Sequence, residues 1–302
     1  MDRDVENRGA VTVTVLGTGT MGSAIAANLC RAGFATTVWD RTPAMARSLE
    51  VLGATVAARP VDAVAAADVV ITMLPDANAV TSVMDGQGTL DAFPRGAAWI
   101  QMGTIGLRAT EHLSTLTAAR RPDVRFVDAP VSGSKGPAQR GELLILASGP
   151  LGLEAELAPL FQCLGQRTIW LGEAGRGTRL KLVLNTWLAF LMEGLAETMA
   201  LADELGITHA ELLDGLEGGP LAAPAAIAKL HKIDARDYGH EFALAWAAKD
   251  VELALNAVRN SFPALTAIAE QWQRAVDEGY GELDVSAARL ALGQPSDRVH
   301  VA

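Results

Sequence analysis

Lys181 is a charged side chain in a segment that is otherwise apolar. It lies in GRGTRLKLVLN, residues 175–185, and the apolar stretch TWLAFLM follows. Asn185 comes four residues later, so on a helix the two side chains share one face. A buried lysine is costly unless it is paired or has a function. The pattern is therefore compatible with a catalytic proton donor, or with a lysine that extends from an apolar helix to solvent.

Three glycines near the N-terminus have the spacing of a dinucleotide-binding loop. Gly17, Gly19 and Gly22 follow a β-branched segment and open a predicted helix, in VLGTGTMG. This is the context that the fingerprint requires. Gly17 permits the tight turn, Gly19 lets the backbone approach a pyrophosphate, and Gly22 lets helix and strand pack closely. The alternative is a tight strand-to-helix turn that binds no ligand.

The residues at the end of the next predicted strand bear on the choice between NAD and NADP. Asp40 lies about twenty residues past the loop, where an acid binds the adenosine ribose and repels a 2′-phosphate. Arg41 and Thr42 follow, and these two side chains could hold that phosphate. Asp40 could also cap the turn before Pro43. The arginine beside the ribose slightly favours NADP, with NAD as the alternative.

Strands and helices alternate in the first part of the chain, which predicts a mostly parallel sheet covered on both faces. The predicted strands are VTVTVLG (11–17), ATTVWD (35–40), ADVVITMLP (67–75), GAAWIQMG (96–103), VRFVDAPV (124–131) and ELLILASG (142–149). After about residue 173 the sequence predicts helices alone, the first from about Gly175 to Leu205. We expect a flexible tail at 1–10, a dinucleotide-binding domain at 11–172 and an all-helical substrate and dimerisation domain at 173–302.

Composition excludes several classes of function. The net charge of −10 argues against a nucleic-acid partner. The two cysteines and five histidines have no metal-ligand or disulfide spacing, so no metal is predicted. No apolar run is long enough to span a membrane, and the charged N-terminus lacks a signal core. We expect a cytoplasmic protein.

Four segments together resemble the β-hydroxyacid dehydrogenases, a family that includes 3-hydroxyisobutyrate dehydrogenases and glyoxylate/succinic semialdehyde reductases. The segments are VLGTGTMGSAIAANLCRAG, DAPVSGSKGPAQRGELLILASG, GRGTRLKLVLN and AAKD. The resemblance extends from about residue 11 to about 290. It implies an α/β fold, with an N-terminal Rossmann-type doubly wound domain, a long connecting helix and an all-α C-terminal domain. It also implies a homodimer or homotetramer.

The resemblance assigns chemical roles to the motif residues. NAD(P)H would deliver a hydride to a small aldehyde or keto acid. Lys181 would donate the proton to the carbonyl oxygen, or accept it in the reverse reaction, and burial would lower its pKa. Asn185 would orient Lys181 or the substrate. Ser132 and the backbone of Gly133 would bind the substrate carboxylate, and SGSKGPA is nearer to the semialdehyde and glyoxylate reductases than the SGG of other members.

The resemblance also implies further contacts with the coenzyme and the substrate. Lys249 would lie near the nicotinamide and pair with the substrate carboxylate, or contact the coenzyme. Asp250 beside it could equally be a helix-surface charge. The remaining residues expected to contact the coenzyme are Met21 of the glycine loop, Met73, Leu74 and Pro75 of MLPD, and Thr104 of MGTIG.

The sequence departs from the family pattern at three positions. Gly103 replaces the usual serine before Thr104, Gln101 replaces an acid, and Trp246 is bulkier than its usual counterparts. Trp246 could reshape the substrate pocket or fill the core between helices. These changes leave the expected chemistry intact and the substrate open.

Two other functions compete with the dehydrogenase hypothesis. Imine reductases share the architecture, but they typically have aspartate or tyrosine at the position of Lys181. A non-catalytic NADP-binding protein would have lost Lys181. The presence of Lys181 and of DAPVSG argues against both alternatives.

Overall fold

The computed structural model describes residues 11–292, so the predicted tail at 1–10 lies outside the described residues. The chain divides into two compact units, one ending at Lys181 and the other beginning at Leu182. This division falls inside a long helix, whereas the predicted domain boundary precedes that helix.

The first unit is built on a six-stranded sheet in which every pair of neighbours is parallel. The strand order is β3-β2-β1-β4-β5-β6, which reverses direction beside β1 as in a doubly wound fold. The strands are β1 (Thr12–Leu16), β2 (Ala35–Trp39), β3 (Thr55–Val56), β4 (Val69–Thr72), β5 (Ala98–Gln101) and β6 (Arg125–Asp128). The predicted α/β fold is confirmed.

Helices cover both faces of this sheet. They are α1 (Thr20–Arg31), α2 (Pro43–Arg47), α3 (Pro60–Val64), α4 (Ala77–Thr81), α5 (Leu107–Arg120), α6 (Lys135–Arg140) and α7 (Leu153–Leu164). Short helical turns lie at Glu50–Leu52, Ser82–Gly86 and Thr89–Ala92. Alternate residues of β1 enter different cores, because strand side chains alternate between faces. Val13 and Val15 pack in one core with Ile25, whereas Leu16 packs in the other with Trp99.

A second, three-stranded sheet extends the first unit. It contains β7 (Val131–Ser132), β8 (Leu143–Ala147) and β9 (Gly165–Trp170). β7 pairs with β8 antiparallel, and β8 pairs with β9 parallel. The sequence analysis did not predict β9, because GQRTIW has little apolar character, nor did it predict the two-residue strand β3.

The second unit is helical. The long helix α8 (Arg176–Glu204) begins in the first unit and continues into the second, close to the predicted bounds. It is followed by α9 (His209–Leu216), α10 (Pro224–Asp234), α11 (Leu244–Asn256), α12 (Pro263–Ala275) and short helical segments at Val276–Tyr280 and Val285–Leu292. Trp272 lies in its main core with Leu244 and Met192. Between residues 182 and 292 the structure contains no strand longer than one bridge, Ala243 with Asp284.

Two searches of residues 11–292 bear on other classes of site. No helix in that range is long and apolar enough to cross a membrane. No cluster of three or more His, Cys, Asp and Glu side chains in that range could hold a metal ion.

Candidate active site

The glycine loop lies between β1 and α1, at the carboxyl edge of the parallel sheet. Gly17 has a φ of 95°, and a Cβ there would lie 2.5 Å from the Met73 carbonyl oxygen. A Cβ on Gly22 would lie 1.9 Å from the Gly17 carbonyl oxygen. The packing of the chain therefore requires glycine at both positions. A Cβ on Gly19 would meet nothing within 4 Å, and its φ of −65° suits any residue.

The space beside Gly19 is open. Gly19 and Thr20 are exposed at the start of α1, where backbone N–H groups have no partner within the helix. Since no contact within the chain demands glycine at 19, its absent side chain leaves room for a ligand that approaches the backbone. Met21 is partly buried in the next position.

Asp40 ties the end of β2 to the glycine loop. Its Oδ2 accepts hydrogen bonds from the backbone N of Thr18 at 2.7 Å and from Thr18 Oγ1 at 3.2 Å. Its Oδ1 accepts one from the backbone N of Thr42 at 2.8 Å. The turn-capping role considered for Asp40 is therefore present. Arg41 and Thr42 are exposed beside it.

The loops after β4 and β5 pack together beside the glycine loop. Met73 and Leu74 are partly buried after β4, and Pro75 is exposed. A Cβ on Gly103 would lie 2.6 Å from the Leu74 carbonyl oxygen. The loop after β5 thus approaches MLPD closely, and the partly buried Thr104 follows at once.

Two of the departures from the family pattern act together. Gln101 is buried, its Oε1 accepts from Thr72 Oγ1 at 2.7 Å, and its Nε2 donates to the Gly103 carbonyl at 2.7 Å. A carboxylate at position 101 could not donate to that carbonyl. A serine at 103 would bring a Cβ against Leu74. Gln101 and Gly103 therefore act together: the glutamine bonds the Gly103 carbonyl, and the glycine lets the loop after β5 approach Leu74.

Ser132 and Gly133 occupy a turn after β7. Ser132 is paired with Leu144 of β8 and is partly buried, whereas Gly133 is exposed. Gly133 has a φ of 134°, and a Cβ there would lie 2.8 Å from Leu143 Cδ2. Both the backbone conformation and the close approach therefore require glycine here.

The start of α8 is held by the buried carboxylate of Asp128. Asp128 Oδ2 accepts from the backbone N of Thr178 at 2.8 Å, the backbone N of Gly175 at 3.1 Å and Ser148 Oγ at 3.1 Å. Its Oδ1 accepts from Thr178 Oγ1 at 2.7 Å. Burial raises the pKa of this carboxyl above its usual range, and the hydrogen bonds oppose that rise.

The glycines of the lysine motif serve the same junction. A Cβ on Gly177 would lie 2.1 Å from the Leu146 carbonyl oxygen and 2.9 Å from that of Asp128. Gly177 N also donates to Ser148 Oγ at 2.9 Å. The first turn of α8 is thus pressed against β6 and β8, which fixes the position of Lys181 one turn later.

Lys181 and Asn185 are both buried, at 9% and 7% relative exposure. Most of the Lys181 side chain is therefore covered by the protein. Asn185 Nδ2 donates to Asp250 Oδ2 at 2.5 Å. Because that bond fixes which way the amide faces, Asn185 has a defined orientation on the helix face that it shares with Lys181.

Lys249 and Asp250 form a charged pair on α11. Lys249 Nζ lies 3.1 Å from Asp250 Oδ1 and 5.6 Å from the ring centroid of Trp246. Asp250 is 3% exposed, so the interpretation of Asp250 as a helix-surface charge is wrong. Trp246 is 45% exposed and therefore does not fill a core.

The sequence analysis missed the roles of Asp128 and Asp250 at these positions. The available signal for Asp128 is its position at the end of a buried strand. The hydrogen-bond partners of both residues lie far along the chain, 50 residues for Thr178 and 65 for Asn185.

Comparisons with known proteins agree with this geometry. Residues 12–172 match the model of the NAD binding domain of 6-phosphogluconate dehydrogenase. Residues 175–292 match the model for the NAD-binding segment of NADP-dependent 3-hydroxyisobutyrate dehydrogenase. Glyoxylate/succinic semialdehyde reductase 1 of Arabidopsis thaliana is 37% identical over 286 residues, which cover 93% of this chain and 98% of that protein. The chain belongs to the β-hydroxyacid dehydrogenase family.

Among the solved structures, a 3-hydroxyisobutyrate dehydrogenase is more similar to the chain in fold than an imine reductase is. The 3-hydroxyisobutyrate dehydrogenase of Mycobacterium tuberculosis, solved with L-serine, has a TM-score of 0.86 at 27% identity, over 95% of this chain and all of that one. An imine reductase from Myxococcus stipitatus has a TM-score of 0.64 at 21% identity, over 94% and 100% of the two chains. The protein is an NAD(P)-dependent oxidoreductase of the hydroxyacid dehydrogenase and semialdehyde reductase type.

Proposed function

We propose that the enzyme reduces a small carboxylate-bearing aldehyde or keto acid, such as glyoxylate or succinic semialdehyde, with Lys181 as the proton donor. The observation that carries the proposal is the burial of Lys181 on a helix whose first turn is clamped by Asp128. A buried ammonium group in a fixed position suits proton transfer to a developing alkoxide. In the reverse reaction Lys181 accepts the proton from the hydroxy acid.

Residues of the glycine loop and of the loops after β2, β4 and β5 would hold the coenzyme. When bound, the coenzyme supplies the hydride or accepts it. Gly19 lets the backbone approach the pyrophosphate, and the exposed N–H groups at the start of α1 bind it. Met21, Met73, Leu74, Pro75 and Thr104 are the proposed neighbours along the rest of the coenzyme.

Ser132, Gly133 and Lys249 would hold the substrate. The Ser132 hydroxyl and the Gly133 N–H donate to the carboxylate. Lys249 supplies a positive charge whose position is limited by Asp250 and by the indole face of Trp246. Because Trp246 is bulky and close to Lys249, we expect it to favour short substrates over branched ones.

Asn185 would be a positioning residue for Lys181. Its Nδ2 is engaged by Asp250, so its Oδ1 is the atom free to accept from a donor on its own helix face or from the substrate. Asp250 thereby orders both Asn185 and Lys249.

We propose a preference for NADP over NAD. Both carboxylate oxygens of Asp40 accept hydrogen bonds from the chain itself, which reduces their capacity to bind a ribose. The exposed Arg41 and Thr42 then present a cation and a hydroxyl for a 2′-phosphate.

The proton-donor role is tested with Lys181→Ala. We expect NADPH binding, followed by fluorescence titration, to persist while kcat for reduction falls by about 100-fold or more. Arg179→Ala is the matched control, because Arg179 lies on the same helix, half exposed, in an ion pair with Glu111. Near-normal turnover of Lys181→Ala would remove the lysine from the chemistry.

The substrate class is tested by steady-state kinetics on a panel of carbonyl compounds. The panel contains glyoxylate, succinic semialdehyde, methylmalonate semialdehyde, tartronate semialdehyde and a cyclic imine. We expect the highest kcat/KM with glyoxylate or succinic semialdehyde. Reduction of the imine alone would replace the proposal with the imine reductase hypothesis.

Assembly and location complete the proposal. We propose a homodimer or homotetramer, which sedimentation of the purified protein measures, and a cytoplasmic location, which cell fractionation tests.

A further inference from the structure

A chain of hydrogen bonds runs through the buried ends of β4 and β5. Trp99 Nε1 donates to Thr72 Oγ1 at 2.9 Å, and Thr72 Oγ1 donates to Gln101 Oε1 at 2.7 Å. Gln101 Nε2 then donates to the carbonyl oxygen of Gly103 at 2.7 Å. Trp99, Thr72 and Gln101 are each 0% exposed. The chain of hydrogen bonds therefore starts in the core beneath the sheet and ends on the loop after β5.

The direction of the hydrogen bonds fixes the orientation of the Gln101 amide. The indole N–H of Trp99 can only donate, so Thr72 Oγ1 accepts from it and turns its own hydrogen toward Gln101. A flipped amide would set its oxygen against the Gly103 carbonyl oxygen, and neither of these atoms can donate. Buried hydrogen bonds arranged in series also polarise one another. The position of the Gly103 carbonyl is thus set from inside the sheet.

The Gly103 carbonyl in turn sets the direction of the peptide group that leads to Thr104. In a planar trans peptide, the C=O of one residue and the N–H of the next point in opposite directions. Since the oxygen points to the Gln101 amide, the N–H of Thr104 points away from it. The loop also lies against Leu74, because a Cβ on Gly103 would be 2.6 Å from the Leu74 carbonyl oxygen. These two contacts define where Thr104 stands.

Packing of the core does not by itself require polar groups at these positions. A buried polar group costs free energy unless it is hydrogen-bonded, and apolar side chains of the same shape can replace a bonded pair at little cost. The hydrogen bonds end at the carboxyl edge of a doubly wound sheet, where ligands of such sheets bind. Residues 102–106 are an irregular segment between β5 and α5, and the Gln101 amide holds this segment from below.

We infer that Gln101 is a positioning residue for the coenzyme. Held by Thr72, its amide orients the peptide between Gly103 and Thr104 so that Thr104 meets the coenzyme. The inference rests on the proposed function, in which Thr104 contacts the coenzyme. The role requires an amide, because an ionised carboxyl can accept from Thr72 but cannot donate to the Gly103 carbonyl.

Gln101→Glu tests the amide, because the introduced carboxyl can donate to the Gly103 carbonyl only while it is protonated. Asp128 is the register partner of position 101 on β6, and Thr72, the partner on β4, is uncharged. Burial and the Asp128 carboxylate should both raise the pKa of the introduced carboxyl. We expect the Kd of NADPH, measured relative to wild type, to be unchanged at about pH 5 and to rise about tenfold by about pH 9, with a smaller change in kcat at saturating coenzyme. Gln87→Glu, at an exposed glutamine, is the matched control and should follow wild type at every pH.

The neighbouring threonine gives a second test that introduces no charge. Thr72→Val removes the hydroxyl that holds the Gln101 amide, whereas Thr72→Ser keeps a hydroxyl at the same position. We expect Thr72→Val to raise the Kd of NADPH by about three- to tenfold, and Thr72→Ser to stay within about twofold of wild type. Where Gln101→Glu does not fold, the two Thr72 variants decide.

Three results separate this inference from the proposed function. A folded Gln101→Glu protein that binds NADPH like wild type at every pH would overturn the inference, and so would equal NADPH affinities of the two Thr72 variants. A loss of stability in urea with an unchanged Kd would leave Gln101 with a structural role alone. If the wild-type protein bound neither NADPH nor NADH, the proposed function itself would fail.

Discussion

Asp128 accepts hydrogen bonds from both the backbone N and the side-chain hydroxyl of Thr178, at 2.8 and 2.7 Å, on different carboxylate oxygens. The carboxylate at the end of β6 thus takes the place of an N-cap residue for α8, although it comes from a distant part of the chain. Lys181 lies three residues after Thr178. The family motifs that contain Asp128 and Lys181 are therefore joined by a direct contact.

Asp128→Asn should destabilise the protein and lower kcat. The amide would turn an N–H₂ donor toward groups that also donate, at a site that is 1% exposed. The expected loss is about 2–4 kcal/mol in the free energy of unfolding, measured with urea. Asp62→Asn is the control, because the Arg59–Asp62 pair is exposed and should contribute less than about 1 kcal/mol. An Asp128→Asn protein as stable as wild type would show that the clamp does not hold α8.

Asp250→Asn should lower kcat/KM by about 10- to 100-fold, with little change in coenzyme binding. It weakens the charged hydrogen bond to Asn185 and removes the negative charge 3.1 Å from Lys249 Nζ. Steady-state kinetics measure the loss, and Glu252→Gln on the exposed face of the same helix is the control. If Asp250 were only structural, unfolding would shift while kcat/KM of the folded enzyme stayed constant.

Substitution of the loop glycines should separate stability from coenzyme binding. Gly22→Ala places a Cβ 1.9 Å from the Gly17 carbonyl oxygen. It should therefore lower the free energy of unfolding by at least about 3 kcal/mol. Gly19→Ala meets nothing within the chain, so its unfolding should match wild type while the Kd of NADPH rises. Calorimetry and fluorescence titration give the two quantities. Unchanged NADPH affinity in Gly19→Ala would contradict the coenzyme assignment of the loop.

Arg41→Ala should raise KM for NADPH about tenfold and leave KM for NADH unchanged, because one charged contact to the 2′-phosphate is lost. Arg47→Ala, an exposed arginine on α2, is the control. Equal effects on both coenzymes would contradict a contact between Arg41 and the 2′-phosphate.

Glu193 should make the stability of the protein depend on pH. Burial raises the pKa of Glu193 to about 7, and the hydrogen bond from Trp272 Nε1, at 2.6 Å, opposes the rise. Because the folded pKa exceeds the unfolded value of 4.5, the folded state holds the proton more tightly. The stabilisation from the neutral form is complete below pH 4.5 and is lost as the pH rises through about 7. It amounts to no more than about 3 kcal/mol.

Urea unfolding between pH 4 and 8 measures this dependence as the difference between wild type and Glu193→Gln. That difference should grow in favour of the glutamine variant as the pH rises. Glu204→Gln, at the exposed end of α8, should show no such trend. A difference that is constant with pH would mean that Glu193 titrates at the same pH in both states.

The sequence predicted what depends on neighbouring residues and missed what depends on distant ones. The glycine loop, the order of the main strands and α8 follow from local spacing and apolar patterns. β9 was missed because its fold depends on pairing with β8 rather than on its own residues. The burial of Asp250 and the clamp by Asp128 were not predictable, because α8 supplies their partners only after the chain has folded. The link between Gln101 and Gly103 was not predictable either, because their hydrogen bond depends on how the loop after β5 folds.

The hydrogen bonds of Asp40 bear on how coenzyme preference can evolve or be engineered in this enzyme. Asp40 lies where we propose that the ribose of the coenzyme binds, and it also fastens the glycine loop through Thr18. A substitution of Asp40 that alters recognition of the ribose therefore loosens the loop as well. A change of coenzyme preference made through Asp40 should require at least two substitutions, one at Asp40 and one that restores the fastening, so single-site libraries at this position would return mainly weakened binders.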